Sequence, residues 1–135
     1  MRTLRRIIFH HSAGSPDQPL EEIERHHRAR GFDGIGYHFV LDGLGAVHRT
    51  RPLDRPGAHD EGENADSIGV CLLGDNTRHG QGWRPVQIAV ARSLISSLRL
   101  LFGSELRVLG HRDEGPTPGS VDATLCPGLD VKTVL

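Results

Sequence analysis

A chain of 135 residues fits one domain with a real core and leaves no room for a second full module. Lys plus Arg (16) nearly balances Asp plus Glu (17), which argues against a general attraction to nucleic acid or to an anionic membrane surface. The two cysteines sit in unlike settings, Cys71 in an apolar run and Cys126 in a Pro/Gly-rich loop, so a disulfide framework is not expected.

Met1 to Arg6 carries basic charge, but only Ile7, Ile8 and Phe9 follow before two histidines. That is no apolar signal-peptide body, so synthesis in the cytoplasm without a signal peptide is expected. No stretch approaches membrane-spanning length, and no membrane span is expected. The first strand is expected over Arg5 to His11. A helix follows, with Pro19 in its first turn, Glu21 and Glu22 near its positive end, and Gly31 as its stop. Leu20, Ile23 and His27 share one of its faces. Tyr37 to Leu41 and Ala46 to Thr50 read as a hairpin around Asp42-Gly43-Leu44-Gly45.

Arg51 to Asp66 has no period and reads as an ordered loop. Ser67 to Leu73 is nearly all apolar, as expected of a central strand buried on both faces, with Cys71 in the core. Asp75 to Trp83 is a second polar loop. Pro85 opens the longest helix, which runs to Phe102 and stops at Gly103; Val86, Ala89, Val90, Leu94, Ile95, Leu98, Leu101 and Phe102 make a broad apolar face. Arg107 to Leu109 is a short strand, Glu114 to Leu125 a long loop, and Val131 to Leu135 one closing turn. The order of elements predicts an α/β fold over residues 1–135, a single domain with a central mixed β-sheet flanked by α-helices.

Three residues carry the chemistry. His10 ends an apolar strand, His111 follows Leu109-Gly110, and Cys126 precedes Pro127-Gly128. Two imidazoles and a thiolate are ligands that zinc favours, and three protein ligands leave a fourth position open, as in catalytic zinc sites. Taken singly, each has a bland alternative: a structural strand histidine, or a loop cysteine.

The series of motifs resembles the zinc-dependent N-acetylmuramoyl-L-alanine amidases of the type 2 amidase and peptidoglycan recognition protein family, which includes phage endolysin amidases. The resemblance rests on His10-His11-Ser12-Ala13, Gly36-Tyr37-His38-Phe39, Gly57-Ala58-His59, Asn64-Ala65-Asp66-Ser67-Ile68-Gly69-Val70, Gly110-His111-Arg112-Asp113 and Thr124-Leu125-Cys126-Pro127-Gly128, in that order. It implies Zn2+ held by His10, not His11, together with His111 and Cys126. Alternation along a strand agrees that only one of the two adjacent histidines faces the site. It further implies catalytic roles for Tyr37 and Thr124, and places His59 and Asn64 near the substrate groove. Thr124 matches a position held by Lys or Thr, and a Thr hydroxyl donates a hydrogen bond without charge.

His26, His27, His38, His48 and His79 receive no role. Arg51 matches a recurrent family Arg, though an ion pair explains it equally. Asp113 and Glu114 match no clear role. The implied reaction is hydrolysis of the amide between N-acetylmuramic acid and L-alanine, with peptidoglycan or a muropeptide as partner, in endolysin-like wall lysis rather than muropeptide recycling. A monomer is expected. Two alternatives stand beside it: a non-catalytic peptidoglycan-binding module on the same fold, and a cysteine hydrolase with Cys126 as nucleophile and His111 as base.

Overall fold

The computed structural model describes residues 2–76, 83–113, 126–128 and 130–135. In chain order these form β1 (Arg6–His11), α1 (Leu20–Ala29), β2 (Phe39–Leu41), β3 (Val47–Arg49), β4 (Ser67–Leu72), α2 (Pro85–Phe102), β5 (Arg107–Gly110), a 3-10 turn (His111–Asp113) and α3 (Val131–Val134). The strands make one five-stranded sheet in the order β3-β2-β4-β1-β5. β1 runs parallel to β4 and β5, β2 runs parallel to β4, and β3 returns antiparallel at the edge. This is the mixed α/β sheet expected.

Alternation divides the sheet into two unlike faces. Ile7 and Phe9 of β1 join Ile68, Val70 and Leu72 of β4 in a core that α2 covers with Ala91, Ile95 and Leu98. Phe9 meets Trp83 there, ring centroids 6.2 Å apart. The opposite face holds Val40, Cys71 and Leu73 against Ile23 of α1. His10, in register with Cys71, belongs to this second face.

Several boundaries and one face differ from expectation. The hairpin strands are shorter, so Tyr37 and His38 precede β2 rather than lie on it. The buried stripe of α2 is Gln87, Ala91, Ile95 and Leu98, whereas Val86 and Leu101 are exposed. With apolar residues nearly all around the helix, hydropathy cannot set its rotation. Polar partners do: the Gln87 side chain donates to the Leu73 carbonyl (2.9 Å) and accepts from the Arg84 amide (3.1 Å). The expectation that no stretch approaches membrane-spanning length is also corrected, because α2 reaches it by length and composition alone; here its inner stripe packs on the sheet. Thr124, His79 and Glu114 lie outside the described residues, as does the long loop that holds Thr124.

Candidate metal centre

Parallel register builds this centre. Phe9 pairs with Gly110, so His10 and His111 follow side by side at the carboxyl edge of β1 and β5, their ring centroids 4.7 Å apart. Ligands to open α/β sheets gather at this edge. Cys126 is tied to both segments: the His11 amide donates to its Sγ (3.3 Å), and the Arg112 amide donates to its carbonyl (2.7 Å). Gly110 permits the close approach, since a Cβ there would lie 2.8 Å from Pro127 Cδ.

One ligand atom from each of His10, His111 and Cys126 lies within 4.8 Å of the other two. Cys126 Sγ is 3.8 Å from His10 Nδ1. Zinc bonds of about 2.3 Å to sulfur and about 2.1 Å to nitrogen let one ion span that gap. Burial, with His59 and His111 nearby, holds His10 well below the usual imidazole pKa, so its ring is neutral and able to ligate. Burial pushes the Cys126 thiol up to about 12. Such a thiol becomes a thiolate near neutral pH only with a cation beside it, and it is a poor free nucleophile. The three donors therefore fit a zinc ion.

His11 faces away. Its Nδ1 accepts the Asn76 amide (3.2 Å), and Asp75 lies 3.9 Å off. Tyr37 stacks obliquely 5.1 Å from His10 and 5.2 Å from His27. Its place depends on Gly36, whose amide donates to His27 Nδ1 (2.9 Å) and whose carbonyl accepts from Ala58 (3.0 Å). A Cβ at Gly36 would lie 2.1 Å from the Ala58 oxygen. Burial, then Cys71 and Cys126, raises the Tyr37 phenol well above its ordinary value. It keeps its proton and can donate.

His59 and Asn64 border the same centre. The His59 ring has Nδ1 2.8 Å from His10 Nε2 and Nε2 3.2 Å from Ser67 Oγ. Gly69 makes room, for a Cβ there would meet His59 Cδ2 at 2.4 Å. Burial lowers the His59 pKa to about 3, with His38 and His111 adding to the effect. Asn64 Oδ1 accepts the backbone amides of His59 (3.0 Å) and Asp60 (3.1 Å). A cleft of about 440 Å³ opens beside the centre, lined by His27, Phe32, Tyr37, His59, Asn64 and His111 among others.

Sequence reasoning missed Asp60. Its carboxylate is buried, with Oδ1 3.4 Å from His111 Nε2. No spacing or motif marks it, and only the fold brings it to His111. His27, given no role, lines the cleft. His38 is a structural histidine: Nδ1 accepts the Gly69 amide (3.0 Å), Nε2 meets the Arg55 carbonyl (2.8 Å), and burial lowers its pKa to about 4. Arg51 binds the Ile35 carbonyl and Asp33, each at 2.9 Å, and Asp113 accepts the Gly110 amide (2.8 Å); both hold backbone in place.

Residues 1–129 match the family model described as N-acetylmuramoyl-L-alanine amidase. The chain is 35% identical over 136 residues to the endolysin of Enterobacteria phage T3, covering 96% of this chain and 84% of that one. It is 31% identical over 137 residues to peptidoglycan-recognition protein SC1a of Drosophila melanogaster, covering 92% and 68%. The fold superposes on the Ph2119 endolysin from Thermus scotoductus MAT2119 bacteriophage Ph2119 with a TM-score of 0.84 at 25% identity, covering 99% and 84%.

Proposed function

Because the chain belongs to the N-acetylmuramoyl-L-alanine amidase family, whose relatives include phage endolysins and peptidoglycan recognition proteins, we propose that it is a zinc-dependent amidase acting as a single catalytic domain on peptidoglycan. The observation that carries this reading is the approach of His10, His111 and Cys126 to within 4.8 Å of one another beside an open cleft.

When bound, zinc supplies Lewis-acid polarisation of a carbonyl and activation of water for attack near neutral pH. His10 and His111 would hold it through ring nitrogens and Cys126 through its sulfur. The cleft seats the lactyl–alanine segment with its carbonyl toward Tyr37. The Tyr37 hydroxyl donates a hydrogen bond to the carbonyl oxygen as negative charge develops there, a preorganised donor of the oxyanion-hole kind. Thr124 is proposed as a second, uncharged donor, on family resemblance alone. The departing L-alanine amine takes up the proton released by the attacking water.

A thiol hydrolase fits less well. Its nucleophile needs a lowered pKa, and Cys126 has a raised one. A non-catalytic binding module is favoured only by the recognition-protein relatives, and the chain retains all three candidate ligands. We favour wall lysis over muropeptide recycling because the curated relatives include phage endolysins, here 35% identical. In that setting the protein is made in the cytoplasm and reaches the wall afterwards, as a monomer. Side-by-side digestion of intact sacculi and soluble anhydro-muropeptides, with mass spectrometry of the products, tests it. Release of stem peptides from sacculi is expected. Cleavage of the soluble fragment alone would replace lysis by recycling, and capture of peptidoglycan without cleavage would leave only binding.

A further inference from the structure

We infer that the neighbouring residues His59 and Asp60 are positioning residues that fix which nitrogen of each metal-site histidine is free to bind zinc, His59 acting on His10 and Asp60 on His111. The inference rests on the zinc reading above and adds to it a second layer held by one loop.

The hydrogen-bond directions follow from a fixed starting point. Ser67 Oγ lies 2.7 Å from the Glu63 carbonyl, which can only accept, so the hydroxyl proton is committed there. Ser67 Oγ must then accept from His59 Nε2, 3.2 Å away, which places the His59 proton on Nε2. A neutral imidazole donates from one nitrogen and accepts at the other. His59 Nδ1 therefore accepts, and His10 Nε2, at 2.8 Å, donates. The lone pair of His10 is left on Nδ1, the nitrogen 3.8 Å from Cys126 Sγ. Ser67 and Gly69 alternate on the β4 face with Cys71, one bonding the His59 ring and the other making space for it.

Asp60 works on the second histidine. A carboxylate accepts only, and its Oδ1 approaches His111 Nε2 to 3.4 Å without a formed hydrogen bond; that proximity of negative charge favours the proton on Nε2 and Nδ1 as the ligating nitrogen. The contact is looser than the bond between His10 and His59, and its effect should be smaller. Both positions are fixed by one clamp, since Asn64 Oδ1 binds the two successive amides. The loop is anchored to β1, which carries His10, through ion pairs of Arg6 with Glu63 and Asp66. Outer partners of this kind usually change metal affinity by about 10–100-fold when removed.

Two measurements test this. Long-range 1H–15N spectra of the histidine rings in the zinc-loaded wild type should show the proton on Nε2 of His10, His59 and His111. Zinc affinity by chelator competition should fall by roughly 100-fold in His59→Leu and roughly 10-fold in Asp60→Leu. His59→Gln and Asp60→Asn keep an acceptor oxygen and should recover part of the loss, which a purely structural role would not produce. A wild-type spectrum with the proton on Nδ1 of His10 would overturn the inference even if the variants fail to fold. So would folded His59→Leu and Asp60→Leu proteins that bind zinc as the wild type does. A wild type that binds no zinc would overturn the functional reading beneath it.

Discussion

The two faces of the sheet are built from one strand by opposite means. On the α2 side, Ile7 and Phe9 meet aliphatic and aromatic neighbours, and the driving force is burial of apolar surface. On the α1 side, His10 lies next to His59, His111 and Tyr37, and named hydrogen bonds link His10 to His59 and His59 to Ser67. Packing tolerates substitutions of similar volume. A buried polar network does not tolerate loss of a partner, because an orphaned donor or acceptor keeps its full desolvation cost. The α2 face is therefore held by apolar packing throughout, whereas the α1 face combines a smaller apolar cluster with the candidate metal centre.

The largest expected effect strikes the polar face alone. His10→Ala, His111→Ala and Cys126→Ala should each reduce peptidoglycan cleavage to background while circular dichroism still reports a folded chain; zinc should rescue the chelated wild type but none of the three. On the apolar face the opposite is expected. Phe9→Ala should cost about 3–5 kcal/mol in urea unfolding, yet its folded fraction should still bind one zinc. Activity lost out of proportion to unfolding would break the division.

Tyr37→Phe should lower kcat on the order of 10²-fold, as for loss of an oxyanion donor, with zinc stoichiometry unchanged. An unaltered rate would remove Tyr37 from the chemistry. Gly69→Ala probes the border, because its Cβ would press on His59 Cδ2. It should cost about 1–3 kcal/mol by overpacking and, unlike Phe9→Ala, weaken zinc binding as well. The smallest effect concerns pH. His38 is depressed to about 4 in the fold, against about 6.5 in an unfolded chain. Between those values the unfolded state binds more protons, so the His38 contribution to stability should fall as pH drops from about 6.5 to about 4 and level off below, while His59, depressed to about 3, continues the decline. Replacing His38 by Gln should flatten that part of the profile in pH-dependent urea titrations.

The apolar face was legible in sequence wherever period and length agreed. The span of α2 from Pro85 to Phe102 matches the expectation, and β1 differs from it by one residue. The rotation of α2 was not legible, because it is set by Gln87 reaching the Leu73 carbonyl and not by hydropathy. The three candidate ligands were legible through ordered motifs, and the parallel register of β1 with β5 explains how two of them, His10 and His111, come together. The contacts of His59 and Asp60 with the two histidines were not. They depend on loop geometry fixed by Asn64, Ser67 and Gly69, which no periodicity records. Thr124 keeps only its family resemblance, since it lies outside the described residues.

The central claim is that His10, His111 and Cys126 hold one zinc ion on which cleavage of peptidoglycan depends. Purified peptidoglycan should be digested in parallel by protein verified as metal-free and by the same sample reloaded to one zinc per chain, with products identified by mass. Stem peptides with a free L-alanine amine are expected only from the reloaded sample. Their release at full rate by the metal-free protein would contradict the claim.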